Sequence, residues 1–71
     1  MLYEILEKKA IEGLDDLIMY VDSDRNLTYE ENEFEEDKEI EIEVYAYDED
    51  MCTEIVGTYY FDDEGNFIRG V

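Results

Sequence analysis

Polar and apolar positions alternate strictly over residues 38–47. Ile40, Ile42, Val44 and Ala46 fall on one side, and Glu39, Glu41, Glu43, Tyr45 and Tyr47 fall on the other. A period of two marks a half-buried β-strand, with one face on a core and the other toward water. The N-terminus has a different spacing. Leu2, Ile5, Leu6 and Ala10 recur three and four apart, with Tyr3 and Ile11 widening the stripe, which predicts a helix over Leu2–Glu12 ending at Gly13. Beyond it, Leu14, Leu17, Ile18 and Val21 would prolong a helical stripe. Residues 17–21 (LIMYV) are nevertheless a continuous apolar run, followed by the turn-rich DSDRN and then by LTYEE. That order favours a hairpin with strands at 17–21 and 27–31; one long helix over residues 2–21 is the alternative.

Residues 30–37 contain one large apolar side chain, Phe34, and read as a loop or solvated turn. Residues 54–61 (EIVGTYYF) form a second strong strand, in which Gly57 suggests a bulge or a close packing contact. Residues 62–66 are a turn with Gly65 free to take positive φ, and residues 67–71 return as the last strand. The pattern predicts a single α+β domain over residues 1–71, with an N-terminal helix packed on an antiparallel sheet of about four to five strands. Its expected core is Leu2, Ile5, Leu6, Leu17, Ile40, Ile42, Val44, Ile55, Tyr59, Phe61 and Phe67.

Charge changes the picture most. The 71 residues hold 23 acids and 5 bases, a net charge of −18. Twelve of those acids, against the single base Lys38, lie within residues 28–50. A halophilic surface would spread its acids evenly, so this clustering points to a basic partner. The same charge argues against direct binding to nucleic acid, because five bases cannot offset it near phosphates. The expected partner is therefore a basic nucleic-acid-binding protein, with no direct nucleic acid, no membrane, and a monomeric or homodimeric state. The candidate partner-binding residues are Glu30, Glu31, Glu33, Glu35, Glu36, Asp37, Glu39, Glu41, Glu43, Tyr45, Tyr47, Asp48, Glu49 and Asp50.

Equipment for other chemistry is sparse. With one cysteine, Cys52, and no histidine, the chain has no intrachain disulfide, no Cys/His zinc set and none of the usual nucleophile–base pairs. Its glycines are isolated rather than gathered into a phosphate loop. The expectation is a non-enzyme without cofactor, working in the cytoplasm, since no apolar run reaches the ~20 residues of a membrane span. Asp22, Asp24 and Asn26 resemble positions one, three and five of a calcium loop, with Glu33 at position twelve. Leu27 stands where that loop needs glycine, and an Asx-rich hairpin turn accounts for the same residues.

In size, acidity and charge pattern the chain resembles the small DNA-mimic inhibitors of phages and mobile elements, of the anti-CRISPR and anti-restriction type. Those proteins share composition rather than motifs. The resemblance implies a protein that blocks the nucleic-acid channel of a DNA-handling effector. An immunity protein or antitoxin capping a basic nuclease toxin, and a small acidic calcium-binding adaptor, are the alternatives. On this reading, thinning the row by Glu41→Ala should leave stability unchanged or raise it.

Self-repulsion at this net charge is screened over a Debye length of ~8–10 Å at physiological salt. The melting temperature at neutral pH should therefore rise between low and physiological ionic strength, as followed by circular dichroism. A melting temperature indifferent to salt would mean the charges are too dispersed to matter.

Overall fold

A computed structural model describes residues 2–71. Helices α1 (Leu2–Glu12) and α2 (Leu14–Ser23) precede strands β1 (Leu27–Phe34), β2 (Glu39–Tyr47), β3 (Thr53–Asp62) and β4 (Phe67–Gly70). The strands form one antiparallel sheet in the order β1-β2-β3-β4, so each pairs with its neighbour in sequence. This is the expected α+β class. The side chain of Tyr3 lies outside the described residues.

Residues 17–21, expected as a strand, belong to α2. A strand would alternate Leu17, Met19 and Val21 inward, but Met19 is 68% exposed while Leu17 and Val21 are buried one helical turn apart. Leu14 and Ile18 pack against the core beside them, and Asp15 and Asp16 occupy the first turn, where anions suit the helix dipole. Packing of a stripe at helical spacing prevails over the strand preference of LIMYV. The one-long-helix alternative also fails, because Gly13 breaks the chain direction. Gly13 has φ 142° and ψ 166°, a region that only glycine enters without strain. There its N–H closes the last turn of α1 on Ala10 O at 3.0 Å, and its C=O accepts from Leu17 N–H at 3.1 Å to start α2.

Both helices lie on one face of the sheet. Leu6 and Ala10 of α1, with Leu17 and Val21 of α2, are buried with Leu27, Ile42, Val44, Tyr59 and Phe61. Leu2, Ile40 and Phe67 are partly buried around them as expected, whereas Ile5, Ile11 and Ile55 are exposed. Ile5 and Ile11 sit on the outer side of α1. Ile55 has a different cause. The β2–β3 register shifts between Val44 and Tyr45, which pair with Gly57 and Ile55 respectively. The extra residue, Val56, is a β-bulge, and beyond it the alternation of β3 inverts and turns Ile55 to the open face. Gly57 is required for a separate reason. The Tyr59 ring lies over it, and a Cβ there would stand 2.6 Å from the Tyr59 hydroxyl.

The strand expected over 27–31 forms and runs on through residues expected as loop to Phe34, so that residues 35–38 form the turn into β2. Strand residues 30–34 are exposed on both faces because the helices do not reach them, so the sequence shows no alternation there.

Gly13→Ala would force a Cβ into a glycine-only conformation and should destabilise the fold by about 1–3 kcal/mol. Urea denaturation of the variant checks this; a loss under half a kcal/mol would show that the junction tolerates other backbone geometry.

Candidate functional site

Cross-strand partners share a sheet face, so the register assigns every acid in the cluster. Glu30 pairs with Glu43, Asn32 with Glu41 and Phe34 with Glu39, all on the face away from the helices. Glu31 and Glu33 pair with Ile42 and Ile40 and therefore point to the helix side, where they are exposed beyond the end of the core. Glu35, Glu36 and Asp37 occupy the β1–β2 turn at one end of β2, and Asp48, Glu49 and Asp50 the β2–β3 turn at the other. The open face thus unites Glu30, Glu39, Glu41, Glu43, Tyr45 and Tyr47. The two turns extend the charge along the strand direction, one at each end of the row.

The row is not bare. Asn32 Nδ2 donates to Glu41 Oε1 at 3.1 Å and to Glu43 Oε1 at 3.2 Å. Tyr60 O–H donates to Glu41 Oε2 at 2.7 Å, and Tyr45 O–H to Glu43 Oε2 at 3.3 Å. Glu39 receives both guanidinium arms of Arg69, each at 3.1 Å, while Arg69 stacks over the Tyr60 ring at 4.2 Å. Each carboxylate of the row therefore has a donor on both oxygens, and all three are half-buried. Three of these four donor residues come from β1, β3 and β4, and Tyr45 shares β2 with the row. Asn32, Tyr60 and Arg69 escaped the sequence reading. Tyr60 was legible, since it lies between Tyr59 and Phe61, both expected in the core. Asn32 and Arg69 depend on registers that no local pattern encodes.

The titration of the phenols follows from these contacts. The hydrogen bond to Glu41, with partial burial, raises the Tyr60 pKa above its ordinary value, and partial burial with the charge of Glu43 does the same for Tyr45. The bond to Glu39 raises that of Arg69. Tyrosine and asparagine are neutral donors, so they fix the carboxylates without cancelling them; Arg69 alone cancels one.

Three aspartates have structural duties. Asp48 Oδ1 accepts the N–H groups of Asp50 and Cys52 at 2.8 and 2.9 Å, with Met51 at positive φ. Asp62 Oδ1 accepts those of Glu64 and Asn66 at 2.9 and 2.8 Å, with Gly65 at positive φ. The backbone donor from Asn66 holds the Asp62 pKa below the usual carboxylate value. Asp48, expected on a binding surface, thus holds its turn through Oδ1 and is exposed, as are Glu49 and Asp50 beside it. Asp24 Oδ1 accepts Asn26 N–H at 2.9 Å, an Asx turn that joins α2 to β1 rather than two strands. Glu33 lies about 20 Å along β1 from that turn, which breaks the calcium-loop spacing. A further gathering of carboxylates, missed in the sequence, forms where Glu12, Asp15 and Asp16 meet Asp63 and Glu64 across a groove. There Leu14 N–H donates to Gly65 O at 2.9 Å.

No family model, curated protein or solved structure matches the chain. Among the described residues no helix is long and apolar enough to cross a membrane.

The network revises the expected effect of Glu41→Ala. Each neighbouring charge ~6.8 Å away repels Glu41 by about 0.6 kcal/mol in water, before screening. Hydrogen bonds to a charged group contribute about 1.5–3 kcal/mol each. Loss of the Tyr60 and Asn32 bonds outweighs relief of repulsion, and Glu41→Ala should destabilise the fold by about 2 kcal/mol at physiological salt, the low end of that difference for bonds at the surface. Glu41→Gln should also lower the Tyr60 pKa toward its ordinary value, read by phenolate absorbance. The sign follows from the raised pKa: the fold favours the neutral phenol, so this contribution is complete below pH ~10 and is lost as pH rises through the folded-state value. Unchanged stability together with an unchanged phenol titration would show that the bonds contribute nothing.

Proposed function

We propose that this protein is a DNA-mimic inhibitor of the kind encoded by phages and mobile elements. It occupies the nucleic-acid channel of a basic DNA-handling effector in the host cytoplasm and acts by competition, without catalysis or cofactor. The observation that carries this reading is linear charge density. The molecule measures 38 × 21 × 19 Å and bears a net charge of −18. That is one negative charge per about 2.1 Å of its long axis, against ~1.7 Å for duplex DNA and ~3.4 Å for one strand. The row Glu39, Glu41 and Glu43 alone, at ~6.8 Å spacing, reaches half the density of a single strand. The β1–β2 and β2–β3 turns and the helix acids supply the rest, so the whole elongated body, rather than one strand, imitates the polyanion.

Rigidity supports the same reading. Carboxylates pinned by Asn32, Tyr60, Tyr45 and Arg69 lose little side-chain entropy when cations meet them, which favours binding. Charge of this kind chiefly sets association rate and its dependence on salt.

The test is capture of partners from a host lysate on the immobilised chain, followed by competition with duplex DNA. Nucleic-acid-binding proteins should be retained, and saturating duplex should displace them. Glu39, Glu41 and Glu43 changed together to Gln should slow association and flatten its salt dependence. A partner that stays bound at full stoichiometry under saturating DNA would overturn mimicry and leave an allosteric inhibitor or adaptor.

A further inference from the structure

The open face changes character along its length. Toward the β1–β2 turn it is carboxylate and polar; toward the β2–β3 turn it presents Tyr45, Tyr47 and Ile55. Ile55 is 50% exposed and Tyr47 36%, and no helix covers either. The bulge at Val56 creates this end. Without it, the alternation of β3 would send Ile55 to the core side; with it, Ile55 stands directly across from Tyr45, and Thr53 across from Tyr47. Beside this end a depression of about 390 Å³ is lined by Thr28, Tyr29 and Glu30 of β1, Tyr45 and Tyr47 of β2, and Thr53 of β3.

Charge surrounds this apolar end. Glu43 and Glu30 border it on the side of the row, and the exposed Glu49 and Asp50 lie in the turn beyond Tyr47. An apolar centre within a charged rim is the anatomy of a protein-binding surface. The rim also selects the occupant. A second copy of this chain would bring carboxylates against carboxylates on a molecule of net charge −18, whereas a basic surface gains on both sides of the centre.

We propose that the Tyr45–Tyr47–Ile55 end is the docking centre for the basic, nucleic-acid-binding partner, which seats an apolar side chain there while its cations meet the flanking carboxylates. The inference rests on the mimic reading for the partner's basic character. It adds that recognition does not come from charge alone. The phosphate backbone of duplex DNA offers no equivalent apolar contact, so this end separates the protein's true target from proteins that bind that backbone alone.

Two synthetic peptides of equal Lys/Arg content test the assignment, one centred on Trp-Leu and one on Ser-Ser. Isothermal titration to the intact protein should show the Trp-Leu peptide binding on the order of tenfold more tightly. Its amide shift changes should centre on Thr53, Ile55 and Tyr47. Ile55→Thr, which keeps a β-branched side chain, should reduce that preference severalfold and leave the Ser-Ser affinity unchanged; Tyr47→Ser serves as a second variant. Equal affinities, shifts centred elsewhere, or a preference intact in both variants would overturn the docking centre. So would sedimentation showing a dimer that Ile55→Thr dissolves, because the covering surface would then be a second copy. DNA competition fails or succeeds independently. An apolar preference with no displacement by DNA removes mimicry alone, and displacement with equal peptide affinities removes the docking centre alone.

Discussion

A sheet has two faces, and this chain carries helix enough to cover one. The 11 residues of α1 and 10 of α2 press Leu6, Ala10, Leu17 and Val21 onto Ile42, Val44, Tyr59 and Phe61, and no helix among the described residues is left for the opposite side. That side must satisfy its own polar groups. The composition of the outward positions follows: carboxylates on the central strand, amide and phenol donors on the strands beside it, and one guanidinium from the last strand. The same limit explains why the far half of β1 is wet on both faces and why its acids point in two directions.

The donors on that face are mostly neutral, and this decides what the face can do. Salt bridges would have held the carboxylates and erased their charge. Phenols and an amide hold them and leave the charge in place, so a row of like charges is stiff as well as anionic. Under the proposed function, that combination replaces the rigidity of a phosphate backbone, whose charges are held by covalent geometry.

Much of this fold could be read in the residues. The strict alternation of residues 38–47 placed Ile42 and Val44 in the core and the glutamates outside, and GTYYFDDEGNF gave the last hairpin with Gly65 at its turn. What escaped had physical causes. LIMYV looks like a strand because it is a continuous apolar run in which Ile18, Tyr20 and Val21 favour one, and packing at positions 17 and 21 makes it a helix. Ile55 was placed inside because a bulge inverts the alternation without changing composition. Residues 30–34 carry no period because both faces are solvated. For the candidate site, the row was legible, and so was the sidedness of Tyr45 and Tyr47. The bonds from Asn32 and Arg69 were not, because they span strand registers fixed by the whole sheet.

The order of strands in space repeats their order in the chain, and two of the three hairpins are closed by an aspartate that gathers the N–H groups of its own turn. This bears on how so charged a chain folds at all. Fast routes are open to chains whose contacts are close in sequence, since little loop entropy is lost before each contact forms. A meander with self-closing turns lets the sheet grow by one neighbour at a time. The like charges of β1 and β2 then meet as short local pairs, with Asn32 and Tyr45 at hand as donors, rather than in one collapse of the entire polyanion.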